Sequence, residues 1–174
     1  MLIDTTTNVF MQSIQNPVLT NFSKFIAIVF EPIYMILFSL IISVYIYFKK
    51  SKSKGIFLAS TIIATGIIIK LLKEIFQRAR PLNSLIQDSG FSFPSGHVTV
   101  AIVFFGLIVY LFVDKKYKIT ATIITILIAL LFGFTRIYLQ IHWLTDIIGG
   151  FFIGGIILML SIIIYKRVGC TRRV

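Results

Sequence analysis

His97 and His142 are the only two histidines in the chain, and each sits among residues suited to holding a phosphate. His97 closes the run Phe93-Pro94-Ser95-Gly96-His97. His142 lies between Arg136 and Asp146 in the run from Thr135 to Asp146. Arginine supplies a planar fork of donors for phosphate oxygens. A helix opening at Ser95-Gly96 offers unpaired amides and the positive end of its dipole to an anion. Gly96 lets the backbone approach closely, and Ser95 adds a hydroxyl donor. An ordinary proline-serine helix cap is the simpler reading of that run. It needs no histidine, and a histidine at a membrane helix start is costly unless used.

The third cluster reads as a nucleophile and its partner. His142 and Asp146 are four residues apart, which on one helix face lets the carboxylate accept from one ring nitrogen. That bond fixes the tautomer and frees the other nitrogen to attack. A buried pair that only locks two helices together is the competing reading. Arg136 ends the preceding apolar run and can neutralise phosphate charge. A further pair precedes these. Lys73 and Arg80 are seven apart, so on a continuous helix ending at Pro81 they project from nearly the same face, ~10 Å apart along the axis. Cations that merely mark the end of a span would look the same. For Lys70 and Arg78 that plainer reading is preferred, with Lys70 paired to Glu74 four residues on.

These residues need a scaffold, and the composition says which. Of 174 residues, 57% are hydrophobic and 13% charged, with a mean hydropathy of +0.97. Apolar runs long enough to cross a hydrocarbon core of roughly 30 Å recur. Five spans read clearly, at about 33–48, 55–76, 95–113, 119–136 and 145–165. Residues 17–30 are apolar but short and carry Lys24, so they either cross or lie in the interface. The turn that Glu31 and Pro32 make into the next helix favours crossing. The expected fold is all-α: one domain, residues 1–174, a polytopic membrane bundle of about six helices.

The net charge of +11 is concentrated in three knots. Lys49, Lys50, Lys52 and Lys54 form one, Lys115, Lys116 and Lys118 a second, and Lys166, Arg167, Arg172 and Arg173 a third. Each flanks an apolar run, which marks a cytoplasmic face. Segments 77–94 and 137–144 then face outward, so the predicted site is external, or periplasmic where there is an outer membrane. No basic stripe alternates with stacking aromatics, which argues against nucleic acid. The single Cys170 allows neither an internal disulfide nor a cysteine metal cage. The first residues lack a basic segment leading into an apolar core, so no cleaved signal peptide is expected. Gly150 and Gly154 have helix-packing spacing, read as packing within the last span.

Taken in order, the three clusters resemble the signature of the type-2 phosphatidic-acid phosphatase superfamily. Its pattern is lysine, six residues, arginine-proline; then proline-serine-glycine-histidine; then serine-arginine, five residues, histidine, three residues, aspartate. Lys73 with Arg80-Pro81, Pro94 to His97, and Arg136, His142 and Asp146 match it. Thr135 stands where the family usually has serine, and keeps the hydroxyl. The resemblance implies a membrane lipid phosphatase. In it His142 forms a phosphohistidine and Asp146 orients it. Lys73, Arg80, Ser95, Gly96 and Arg136 hold the phosphate, and His97 protonates the leaving oxygen. No metal or other cofactor is expected: three cations already do a metal's work and would repel one, and no HExxH pattern exists. Expected partners are a lipid phosphate and the bilayer, with no obligate protein partner indicated. The candidate substrates are undecaprenyl diphosphate, phosphatidylglycerophosphate, phosphatidic acid or lipid A 1-phosphate. A non-catalytic lipid-phosphate binder or transporter is the main alternative, and a purely structural membrane protein the other.

Overall fold

The computed structural model describes residues 2–171, with side chains through Val168. The Cys170 side chain, Arg172 and Arg173 lie outside the described residues. Seven α-helices follow in order: α1 (Leu2–Ser13), α2 (Pro17–Val29), α3 (Pro32–Lys49), α4 (Lys52–Phe76), α5 (Gly96–Phe112), α6 (Lys118–Tyr138) and α7 (Leu144–Thr171). Four stretches are long and apolar enough to cross a bilayer: Pro32–Lys49, Lys52–Phe76, Lys115–Tyr138 and Leu144–Val168. Helices α2 and α5 are shorter apolar helices.

The core is built around α5. The chain is buried without interruption from Pro94 to Phe104, so α5 is surrounded rather than one-faced. In hydrocarbon no hydrophobic force drives helices together, and close packing at small residues replaces it. A Cβ on Gly154 would lie 3.1 Å from the Thr99 carbonyl, and one on Gly150 would lie 3.1 Å from that of Ser95. Both glycines therefore face α5 within the same chain, as their spacing suggested. At the far end the Lys54 ammonium donates to the Leu111 carbonyl at 3.1 Å, and Phe57 stacks on Tyr165 at 4.2 Å. The described residues of the lysine knots and the three candidate clusters thus occupy opposite ends of the bundle.

The expected crossing by residues 17–30 is not among the four bilayer-length stretches. Thirteen residues rise only about 20 Å, and both ends of α2 lie at the candidate-site end. The Asn16 amide, at its start, donates to the Tyr138 hydroxyl at 2.9 Å. Glu31, just past its end, reaches His97 at 3.6 Å. The expected Lys70–Glu74 pair is also missing: both side chains stay exposed with no ion pair among the described residues.

Candidate active site

Three chain reversals at one end of the bundle build the site. The first follows α4, which stops at Phe76 because Gln77 takes a left-handed conformation (φ 43°) and its amide caps the Lys73 carbonyl. Arg80 is therefore in the loop, not on a continuation of α4, and the shared helix face expected for Lys73 and Arg80 does not exist. They still meet, because residues 88–91 fold between them. The Lys73 ammonium donates to the Phe91 carbonyl. Arg80 pairs with Asp88 at 2.9 Å and donates to the carbonyls of Gly90 at 3.0 Å and Ser89 at 3.2 Å. Its Nη1 reaches the Ile141 carbonyl at 2.8 Å and His142 Nε2 at 3.5 Å.

The second reversal leads into α5. Ser95 is the N-cap, but its hydroxyl makes no capping bond. That Oγ is buried with no hydrogen-bond partner among the described residues. Burying a hydroxyl unpaired is costly. The first-turn amides of α5, Gly96 among them, have no acceptor within the helix. His97, 4% exposed, receives a hydrogen bond on Nε2 from Arg136 Nη1 at 3.1 Å. A guanidinium only donates, so Nε2 carries its lone pair there. Glu31 approaches the same nitrogen.

The third reversal joins α6 to α7. The Ile141 amide bonds the Arg136 carbonyl at 3.2 Å and the Gln140 amide bonds that of Ile137 at 3.0 Å. This is the Schellman pattern, with Gln140 in the left-handed position (φ 58°) usually given to glycine. The turn carries His142 past the end of α6 and leaves it two residues short of α7. The expectation that His142 and Asp146 share a helix face is corrected accordingly. Asp146 alone is helical, and its Oδ2 reaches back to the Trp143 amide at 2.9 Å as the acidic half of a capping box does. The same oxygen takes His142 Nδ1 at 3.2 Å. Arg80 donates toward Nε2 while Asp146 accepts from Nδ1. The tautomer is thereby set with the proton on Nδ1 and a lone pair on Nε2.

Charge reinforces that state. Burial pushes His142 below its ordinary pKa; the hydrogen bond to Asp146 opposes this, and Arg80 and Lys73 add to it. Glu31, at the rim, is held above the usual carboxylate range, first by burial and then by Asp88, against Arg136, Arg80 and Lys73. Arg136 is 1% exposed, and its Nε lies 3.4 Å from the Thr135 hydroxyl. Thr135 itself donates to the Phe132 carbonyl at 2.8 Å, so the threonine orients the arginine from behind.

All eight candidate residues thus gather at one end of the bundle. The sequence reading missed four neighbours. Arg78, read as a span-end cation, is bonded to both Asp146 and Asp4. The Thr145 hydroxyl accepts from Arg78 and donates to Asp4, and Glu31 faces His97. One signal was available. The chain has only six acidic residues, and four of them (Asp4, Glu31, Asp88 and Asp146) converge here.

The chain is similar to known proteins. The model of the PAP2 superfamily matches residues 54–170. Phosphatidylglycerophosphatase B of Bacillus subtilis is 35% identical over 120 residues, covering 66% of this chain and 59% of that protein. Lipid A 1-phosphatase of Rhizobium etli is 33% identical over 126 residues, covering 66% of this chain and 52% of that protein. The aligned part of the chain therefore spans little more than half the length of these relatives. The crystal structure of the PAP2-type phosphatidylglycerolphosphate phosphatase from Bacillus subtilis superposes with a TM-score of 0.86 at 28% identity, covering 95% of this chain and 85% of that one.

Proposed function

The chain belongs to the PAP2 superfamily, and on that premise we propose that it is a multi-pass membrane phosphatase. It removes a terminal phosphate from a lipid phosphomonoester or diphosphate through a phosphohistidine on His142. The observation that carries this reading is the His142 ring. Its Nδ1 is tied to buried Asp146, and its Nε2 is left as a lone pair beside Arg80. A protein that only bound or moved lipid phosphates would need the cations but not a tautomer-locked imidazole.

In the proposed mechanism Nε2 of His142 attacks phosphorus and the bond to the lipid oxygen breaks. Asp146 steadies the positive charge that develops on the ring. Lys73, Arg80, Arg136, the Ser95 hydroxyl and the Gly96 amide hold the phosphoryl oxygens. Phosphoryl transfer asks mainly for such positioning and charge stabilisation. His97 gives a proton to the leaving lipid oxygen. It then takes one from the water that attacks the phosphohistidine, which returns His142 and releases inorganic phosphate. Phosphate bound between the histidines would draw Arg136 off His97 Nε2, freeing that nitrogen for its proton.

Five helices, α3 to α7, cross the bilayer in this reading, and α1 and α2 lie at the site end. The positive-inside rule applied to the lysine knots favours the cytoplasm for the other end, and in this reading the site faces outward from the cytoplasmic membrane. A cavity of about 350 Å³ lined by Lys24, Ala27, Ile28, Glu31, Tyr34, Ile86 and Gln87 adjoins the site at Glu31. It suits the lipid-bearing side of a substrate that enters from the outer leaflet. Phosphatidylglycerophosphate is the first substrate to try, given the likeness to the Bacillus subtilis enzyme. The test is phosphate release from phosphatidylglycerophosphate, phosphatidic acid, undecaprenyl diphosphate and lipid A 1-phosphate, with His142→Ala run alongside. The reading predicts turnover of at least one of these by the wild type and none by the variant. Equal activity of a folded His142→Ala protein refutes it.

A further inference from the structure

The mechanism above leaves Arg78 and the whole of α1 unused, yet they are wired to its centre. Arg78 is a guanidinium fork between two carboxylates. Its Nη2 holds Asp4 Oδ2 at 2.7 Å, while its Nη1 holds Asp146 Oδ1 and the Thr145 hydroxyl, the latter at 2.6 Å. Asp4 is 3% exposed and also receives the Thr145 amide at 3.0 Å. These hydrogen bonds from Thr145 and Arg78 hold Asp4 below the usual carboxylate range, although burial, the largest single influence, works the other way.

Helix α1 is built to reach this point from the bilayer side. Asp4, Asn8 and Gln12 fall on one face at four-residue intervals and turn inward. The Asn8 main-chain carbonyl accepts from the Gln140 side-chain amide, and the Gln12 side-chain amide donates to the Gln140 side-chain oxygen, at 3.3 Å each. Leu2, Ile3, Val9 and Phe10 are exposed on the outside. A polar inner face and apolar outer face is the pattern of a helix seated at a lipid interface.

We propose that Arg78 is a positioning residue: pinned by Asp4 of α1, it clamps Asp146 Oδ1 and so aims Oδ2 at His142 Nδ1. The seating of α1 then becomes a condition for aligning the nucleophile. This rests on the reading of His142 as nucleophile. A carboxylate held at one oxygen only can rotate about its Cβ–Cγ bond, and the second, charge-assisted bond removes that freedom. The guanidinium has an electrostatic effect as well. Its positive charge behind Asp146 limits how strongly that carboxylate draws a proton onto His142. The other charged or titratable groups facing His142 are Arg80 from the loop, Lys73 from α4 and His97 from α5. Changing Arg78 leaves all three in place.

The test compares phosphate release by wild type, Arg78→Lys, Arg78→Gln and Asp4→Asn on the lipid phosphate the wild type turns over, each across pH. Arg78→Gln is expected to lower kcat about 100-fold, the usual cost of a misplacement near 1 Å, with KM changed less than about threefold. It is also expected to move the acid limb of the kcat/KM profile to higher pH. Arg78→Lys keeps the charge, so its acid limb stays put while kcat falls. Asp4→Asn leaves Asp146 and Arg78 intact and lowers kcat about tenfold, the order expected for one lost charge-assisted bond. Full kcat in Arg78→Gln, or a fall with an unmoved acid limb, overturns the proposal. Should Arg78→Gln fail to fold, Asp4→Asn decides: wild-type kcat there overturns it too. A wild type inactive on every lipid phosphate defeats the phosphatase reading itself, and this inference with it. An active wild type with indifferent variants defeats this inference alone.

Discussion

Asp146→Asn is the substitution whose consequence the structure works out most fully. The carboxylate is 0% exposed and accepts three bonds: from His142 Nδ1 and the Trp143 amide on Oδ2, and from Arg78 Nη1 on Oδ1. An amide has one oxygen, so one side must fail. With its oxygen in the Oδ2 place, it keeps His142 and Trp143 but points an NH₂ at the Arg78 guanidinium, donor against donor. Flipped, it satisfies Arg78 but points the NH₂ at His142 Nδ1 and strands the Trp143 amide. The ring must then carry its proton on Nε2, and the attacking lone pair is gone. The first arrangement forfeits a charge-assisted bond worth about 1.5–3 kcal/mol and the negative charge that steadies the ring as it becomes cationic. The second abolishes the nucleophile outright. When an aspartate behind a catalytic histidine becomes asparagine, the wrong tautomer costs roughly 10⁴ in kcat. Here the expected fall is of order 10³–10⁴, with KM close to wild type because the phosphate ligands are untouched. Steady-state kinetics on a short-chain lipid phosphate, with thermal unfolding to confirm the fold, measures it. A folded variant that keeps more than about a tenth of wild-type kcat would mean that Asp146 does not set the state of His142.

Three further outcomes follow from the same geometry. The two limbs of the pH dependence report different species, kcat/KM the free enzyme and kcat the substrate complex. His142 must be deprotonated to attack, and burial has pushed it below its ordinary value, so the acid limb falls below about pH 6.5. The alkaline limb belongs to the proton His97 must give once phosphate has drawn Arg136 away, so it is read in kcat, and a kcat that stays flat on the alkaline side to about pH 9 would contradict that role. Turnover should survive chelation by EDTA, because Lys73, Arg80 and Arg136 neutralise the phosphate; a loss that magnesium restores contradicts this. Gly150→Ala should cost about 1–3 kcal/mol in stability, since its Cβ would lie 3.1 Å from the Ser95 carbonyl and 3.2 Å from Val98 Cβ. Because Ser95 would be displaced, kcat/KM should fall as well. Gly155→Ala meets nothing within 4 Å and serves as the silent control; equal unfolding temperatures for the two would refute the packing argument.

The membership of the site was legible in the sequence, while much of its geometry was not. Lys73, Arg80, Ser95, Gly96, His97, Arg136, His142 and Asp146 were identifiable because phosphate chemistry needs those types and an apolar chain otherwise avoids them. Their placement was inferred by extending helix periodicity, and that assumption failed twice. Gln77 and Gln140 are both left-handed without being glycine; the first ends α4 at Phe76 and leaves Arg80 in a loop, and after the second α7 begins only at Leu144, which leaves His142 in a loop as well. Hydropathy is silent on α2 for a related reason: it reports that a segment prefers lipid, but not whether its two ends emerge on the same face. Arg78 was misread because its partner Asp4 lies 74 residues away, a pairing no local pattern encodes. The scarcity of acidic residues was the usable clue. In a chain with six carboxylates and seventeen Lys and Arg, each carboxylate near the candidate histidines has a cation to answer.

The central claim is covalent: phosphorus passes through His142. Rapid quenching of the wild type with lipid phosphate labelled on its terminal phosphorus, followed by peptide mapping, tests it directly. The account predicts a label that is acid-labile and base-stable, located on His142, lost on chase with unlabelled substrate and missing from His142→Ala. Full turnover with no protein-bound label at any quench time, or a label on another residue, would contradict it.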